Sequence, residues 1–253
     1  MYKGFNLSLG NSYCYDFIEQ GKEIHDKNKA QVKNKLDSFK DRDENLIASR
    51  IVANWFPPIE ADIFLSHSHK DEDQVIGFSG WLKQEFGLNS FIDSCIWGYS
   101  ETLLKIIDNE YCYNQSSDTY SYQKRNRSTC HVHMMLLTAL TKMINNCECI
   151  IFVNTPQSIS PKKYIEDAET TDSPWIYSEI SMTSLVQKRS RSEHRGIMVK
   201  SEVRYDSIKP FTIKYDVDLM HLSPLTVNDL INWKENNTKK GPESLDSLYK
   251  LME

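Results

Sequence analysis

Residues 61–73 read ADIFLSHSHKDED. Ile63, Phe64 and Leu65 form a short apolar run rich in β-formers, bounded by the polar turn SHSHKD. Beyond the turn, Val75, Phe78, Leu82 and Phe86 recur at helical spacing, and Gly87 stands where a helix C-cap is expected. The stretch therefore predicts a strand, a turn and an amphipathic helix, the opening of a βαβ unit.

The same alternation continues downstream. NSFID (89–93) reads as a second short strand, and SETLLKIIDNEY (100–111) as a helix. CYNQSSDTYSYQKRNRS (112–128) has no periodicity and reads as a polar loop inserted in the domain. HVHMMLLTALTKMINN (131–146) is a helix and ECIIFVNT (148–155) a buried strand. SPWIYSEISMTSLVQ (173–187) is a helix, FTIKYDVDL (211–219) a final strand, and TVNDLINWKEN and ESLDSLYKLM closing helices. Strands alternating with helices predict an α/β fold with a parallel sheet. Upstream, residues 13–55 are polar and helix-like, with Val32, Leu36, Phe39, Ile47 and Ile51 as a narrow apolar stripe. The tandem prolines of WFPPIEA end that pattern. Residues 1–60 are thus read as an N-terminal helical extension and 61–253 as the main domain, without internal repeats.

Of the 253 residues, 40% are hydrophobic, enough for one sizeable core. The net charge of -5 argues against a protein built to hold a nucleic-acid backbone. Basic clusters such as QKRNR are read as solvated. MYKGFNLSLG lacks the apolar core of a signal peptide, and MMLLTAL and CIIFV are too short to span a bilayer. A cytoplasmic protein with no membrane partner is expected, in which the six scattered cysteines stay reduced.

Ligands of parallel α/β sheets bind at the carboxyl ends of the strands. Three connections open there: SHSHKD, DSCIWGYS, and the segment running from NTPQS into the helix that carries Glu179. Ser66, His67, Asp93, Trp97 and Glu179 can therefore meet in space.

ADIFLSHSHKDED, FID after a helix, CECIIFVNT and SPWIYSEI, in that order, resemble a Toll/interleukin-1 receptor (TIR) domain, in particular the bacterial TIR-like proteins. The resemblance covers roughly residues 61–187, with FTIKYDVDL fitting the end of the domain. It implies a flavodoxin-like parallel sheet with helices on both faces. It also implies one of two roles. Some members of the family are adaptors that only associate. Others cleave NAD between nicotinamide and ribose, with the glutamate at the position of Glu179 as the catalytic residue. In bacteria such enzymes serve antiphage defence, including systems of the Thoeris kind, whose nucleotide product activates a second protein. NAD would be substrate, not cofactor, and a second copy of the chain can complete the site. SCIWGYSE lacks the proline-glycine turn typical of animal signalling TIR domains, and the 112–128 insertion is outside the family pattern.

The residues carry ordinary readings as well. Asp172 or Ser173 can cap the helix that Pro174 begins, and Trp175 and Glu179 then share a face at i and i+4. Nicotinamide is already cationic and departs neutral, so its cleavage needs a carboxylate against an oxocarbenium-like ribose rather than a strong acid. Glu179 suits that task; a solvated helix glutamate is the alternative. Trp175 can exclude water or stack on a ring. Ser66 and His67 can approach phosphate or ribose, or simply form a turn; Asp71 with Gln74 fits a capping box. Asp93 can orient its loop or bind ribose. Trp97 and Tyr99 can stack on a base or pack as core.

CHVH (130–133) and CEC (147–149) contain metal-ligand types at poor spacing, so no metal is expected. Gly-rich dinucleotide and P-loop fingerprints and a nucleophile elbow are absent from the sequence. A flavodoxin-like sensor that binds a small ligand without turnover is a third reading.

Overall fold

The computed structural model describes residues 1–9, 14–29, 39–42, 45–56, 59–161, 169–171, 173–186, 188–194 and 215–253, with backbone alone at 15, 27–29, 96–99, 160–161, 169–170 and 215–216. In chain order the elements are β1 (Lys3–Ser8), α1 (Ile18–Lys29), α2 (Ala48–Trp55), β2 (Ile63–Ser66), α3 (Glu72–Phe86), β3 (Ser90–Ile92) and α4 (Ser94–Ile107). There follow β4 (Tyr113–Asn114), β5 (Thr119–Tyr120), α5 (Tyr122–Asn146), β6 (Cys149–Asn154), β7 (Ser160–Pro161), β8 (Glu169–Thr171) and α6 (Pro174–Leu185). The chain closes with α7 (Arg191–His194), β9 (Tyr215–Val217), β10 (Ser223–Thr226), α8 (Val227–Asn236) and α9 (Leu245–Leu251).

The fold is α/β. Its centre is a five-stranded sheet in the order β10-β1-β6-β2-β3, parallel throughout and flanked by helices. The middle strands read as continuous apolar runs because both faces are covered: Ile63, Phe64, Leu65, Ile150, Ile151, Phe152 and Val153 are all buried. Counted from β2, the strands β3, β2 and β6 follow the 2-1-3 order of flavodoxin-like sheets. The two places beyond them are filled by β1 and β10, from opposite ends of the chain.

That filling corrects the expected organisation of residues 1–60. Lys3–Ser8 is no part of a helical extension; it lies between β6 and β10 in the main sheet. Phe5 and Leu7 are buried at a period of two, the signature of a strand. α1 and α2 do form, although Val32, Leu36 and the boundary at Pro57–Pro58 lie outside the described residues. The expected last strand also differs. Tyr215–Val217 pairs antiparallel with β8 in a separate three-stranded sheet, and residues 211–214 lie outside the described residues. The fifth strand of the main sheet is instead Ser223–Thr226, a short edge strand whose proline is tolerated at an edge.

The stretch 112–128 is not one polar loop. It forms the β4–β5 hairpin and the first two turns of α5, whose cap is Ser121. Asp108 anchors it: Arg125 Nε donates to Oδ2 at 2.9 Å, and Ser128 Oγ to Oδ1 at 2.5 Å. These early turns are solvent-facing, so they lack the apolar period that marks the rest of the helix.

The C-terminal helices belong to the same core. Trp233 of α8 stacks on Phe86 at the end of α3, with ring centroids 3.7 Å apart, and Leu245, Leu248 and Tyr249 of α9 are buried. All six cysteines are free thiols, with only Cys130 partly exposed. No described helix is long and apolar enough to cross a membrane.

α1 crosses α3 at near backbone contact, which glycine permits. A Cβ on Gly80 would stand 2.2 Å from the Phe17 carbonyl oxygen and 2.7 Å from the Gly21 nitrogen. Those atoms are backbone and cannot turn aside. Gly80→Ala is expected to destabilise the chain by about 2 kcal/mol or more, at the upper part of the range for overpacking. A urea midpoint equal to that of the wild type would refute this close crossing.

Candidate active site

The carboxyl ends of β2 and β6 lie side by side, with Ser66 opposite Phe152 in register. The chain leaves β2 toward β3 on one side, and β6 lies on the other, so a crevice opens between their ends. Four predicted residues converge here. Ser66, the last residue of β2, donates its hydroxyl to Glu179 Oε2 at 2.5 Å, across 113 positions of sequence. The backbone N–H of His67 donates to Asp93 Oδ2 at 3.2 Å, and His67 Nδ1 stands 2.5 Å from Asp93 Oδ1. Asp93 follows β3, and its Oδ1 accepts the Ser94 N–H at 2.8 Å. Asp93 and Glu179 each influence the other's proton affinity.

Glu179 reaches this place because α6 begins well. Ser173 is the N-cap and accepts the Ile176 N–H, and Pro174 occupies the first turn. The helix packs its Ile176–Glu179–Ile180–Thr183 face inward. The solvated-glutamate alternative therefore fails: Glu179 is 1% exposed, and its Oε1 has no hydrogen-bond partner among the described residues.

Burial dominates the electrostatics. It lifts Glu179 well above the usual carboxylate range, and the neighbouring Asp93 charge adds to the lift, while the Ser66 hydrogen bond opposes it. It lifts Asp93 to about 8, against the hydrogen bonds from Glu179 and from the His67 and Ser94 amides. It pushes His67 down to about 4, against the attraction of Glu179, Glu72 and Asp71. A small cavity of about 10 Å³ adjoins Glu179, lined by Phe64, Ser66, Phe152, Thr183 and Leu222 among others. It has room for about one water molecule. It is far too small for a dinucleotide.

The remaining predicted residues fare differently. Trp175 is half-buried and packs edge-on against His133 of α5, with centroids 5.2 Å apart. Trp97 and Tyr99 fall in the first turns of α4, not in a loop, and their side chains lie outside the described residues. The expected capping box at Asp71 and Gln74 is not made. Asp71 instead accepts a hydrogen bond from Thr155 Oγ1 at 2.5 Å, tying the start of α3 to the end of β6. A capping box does occur at Thr226 and Asp229 of α8.

Two contributors were not anticipated from sequence. Thr155 and Ser158 form a hydrogen-bonded turn just past β6, and the Thr-x-x-Ser spacing after a strand was the available signal. Thr183 Oγ1 lies 2.6 Å from His221 Nε2, a pairing that local sequence does not reveal. Among the described residues no group of three or more His, Cys, Asp or Glu is placed to hold a metal. No family model, curated protein or solved structure matches the chain.

This arrangement sets two buried carboxyls, one with an oxygen that has no hydrogen-bond partner among the described residues, beside a hydroxyl, and burial favours their neutral forms. Its signature is in stability. The unfolded chain loses these carboxyl protons near pH 4, whereas the folded chain holds them longer. Their contribution is thus full below about pH 4 and is lost as pH rises, for Asp93 through about 8. His67 has the opposite sign, its contribution being lost as pH falls from about 6.5 to about 4. Glu179→Gln cannot ionise and leaves His67 in place. It is expected to be more stable than the wild type above about pH 5, with a gain that grows with pH. Urea unfolding at about pH 5, 7 and 9 measures it, and a pH-independent difference would refute the burial of an ionisable Glu179.

Proposed function

We propose that the chain is a TIR-type enzyme that cleaves NAD at the nicotinamide–ribose bond, with Glu179 as the catalytic residue. The supporting observation is the Ser66–Glu179 hydrogen bond at the β2/β6 crevice, with Asp93 beside it. A carboxylate there is available to face the ribose carbon as positive charge develops on it, and the C–N bonding pair leaves with the neutral nicotinamide. The Ser66 hydroxyl orients that carboxylate. The low-dielectric surroundings strengthen its attraction for the oxocarbenium-like centre.

Because the resting site is closed, turnover requires the cluster to be uncovered, and association of two copies of the chain is the proposed trigger. A neighbouring copy then completes the site. The product is ADP-ribose or a cyclic or conjugated relative, depending on which nucleophile reaches the ribose. In this reading it serves as a signal to a second protein in bacterial antiphage immunity, in the cytoplasm.

The non-enzymatic interaction module is the second reading. The closed cavity favours it, as do Tyr111, Tyr113, Tyr120 and Tyr122, all exposed on and beside the β4–β5 hairpin.

Purified protein, tested dilute and concentrated, is expected to release nicotinamide from NAD, and Glu179→Gln to lose the activity by about 100-fold or more. Mass spectrometry of the second product assigns hydrolysis, cyclisation or base exchange. Absence of release at every concentration, with partner capture intact in Glu179→Gln, would favour the interaction module. For the active enzyme, kcat/KM is expected to keep rising with pH above the range in which ordinary carboxylates ionise, because Glu179 must lose its proton to act.

A further inference from the structure

No residue of the β4–β5 hairpin belongs to the Glu179 cluster, and every residue from Tyr113 to Tyr120 is exposed. The hairpin is nevertheless framed by aromatic rings: Tyr111, Tyr113, Tyr120 and Tyr122 are 37%, 40%, 43% and 72% exposed. Rings so placed add little to a core, and tyrosine beside arginine is the composition of interface hot spots. We propose that this hairpin and the amino end of α5 form a docking surface for an acidic peptide segment of a partner protein. The surface stands whether or not Glu179 cleaves NAD.

The rings are held in place before any partner arrives. Tyr113 and Tyr120 face each other in register across the hairpin, with centroids 5.3 Å apart and planes tilted by 56°. Tyr113 donates its hydroxyl to Asp118 Oδ1 at 2.6 Å, and Tyr120 to Asn109 Oδ1 at 2.5 Å. The guanidinium of Arg125 lies 5.5 Å over the Tyr120 ring, and the ammonium of Lys40 lies 5.9 Å over that of Tyr111. Rings fixed in this way lose little conformational entropy on binding.

Charge selects the partner. The cations that cover the rings already have acids: Arg125 pairs with Asp108 at 2.9 Å and Lys40 with Glu110 at 3.0 Å. Lys124 and Arg127 do not. Both are exposed, one turn apart on α5, and neither has a carboxylate within ion-pair distance among the described residues. The surface therefore offers two uncommitted positive charges beside apolar rings, on a chain whose net charge is -5. Carboxylates match the cations, and apolar side chains between them match the rings. Single-stranded nucleic acid fits less well, because it stacks its bases on open ring faces, and here cations cover a face of Tyr120 and of Tyr111. A second copy docking through the same surface would set like charges together.

Panning the full chain against a display library of random peptides of about a dozen residues tests this. Enriched peptides are expected to carry several Asp or Glu residues together with aromatic or aliphatic ones. A synthetic peptide of the enriched sequence, followed by fluorescence anisotropy, is expected to bind less tightly as salt rises. The double variant Lys124→Glu, Arg127→Glu is expected to weaken that binding about tenfold or more, and Tyr122→Ala to weaken it as well. All three side chains are exposed, and Lys124→Glu places an acid in the first turn of α5, where the helix favours one, so both variants are expected to fold. No enrichment, enrichment without an acidic bias, or an affinity unchanged in the folded variants overturns the proposal. So does tighter binding of a single-stranded oligouridylate than of the peptide, or self-association of the chain in sedimentation that the same substitutions abolish.

Discussion

The pairing of β2 with β6 is the constraint on which the molecule depends. Ile63, Phe64 and Leu65 lie in register against Cys149, Ile150 and Ile151, and all six are buried. Each large apolar side chain so covered contributes about 1.5–3 kcal/mol relative to exposure. The same register brings Ser66 and Phe152 to one edge of the sheet. From that edge the chain departs in different directions, toward α3 and β3 after β2 and toward α6 after β6. Ser66, His67, Asp93 and Glu179 converge because the strands that precede them end together.

The convergence has a cost. Glu179, Asp93 and His67 are among the most deeply buried ionisable groups of the chain, and burial disfavours the charged form of each. An apolar cluster of the same volume would be more stable at neutral pH. The apolar centre of the sheet, extended by the Trp233–Phe86 stack and the tight α1–α3 crossing, offsets that cost. Buried, perturbed ionisable groups of this kind cluster at functional sites, which is the general ground for the role proposed for Glu179.

Much of this was legible in the chain, for specific reasons. IFLS and CIIFVN are continuous apolar runs, and central parallel strands have that composition because both faces are covered. SPWIYSE announces its helix through a serine cap and a proline in the first turn. β1 is not legible in the sequence because its alternating FNLS is short and no neighbouring unit identifies its partner. β10 is hidden as well, because four residues containing proline look like a loop until an edge position is known. The first turns of α5 were hidden because a helix that buries nothing carries no period.

By itself, then, the sequence determined the βα alternation, the apolar strands and the capped helix that carries Glu179, since propensity, period and capping act within a few residues of one another. Tertiary structure alone decided that residues 3–8 join the main sheet and that Trp175 turns to His133. It alone set Glu179 against Ser66 and within the influence of Asp93, beside a cavity of about 10 Å³. Those outcomes depend on which strands pair and on what covers each side chain, and both are settled by contacts between residues far apart in the chain.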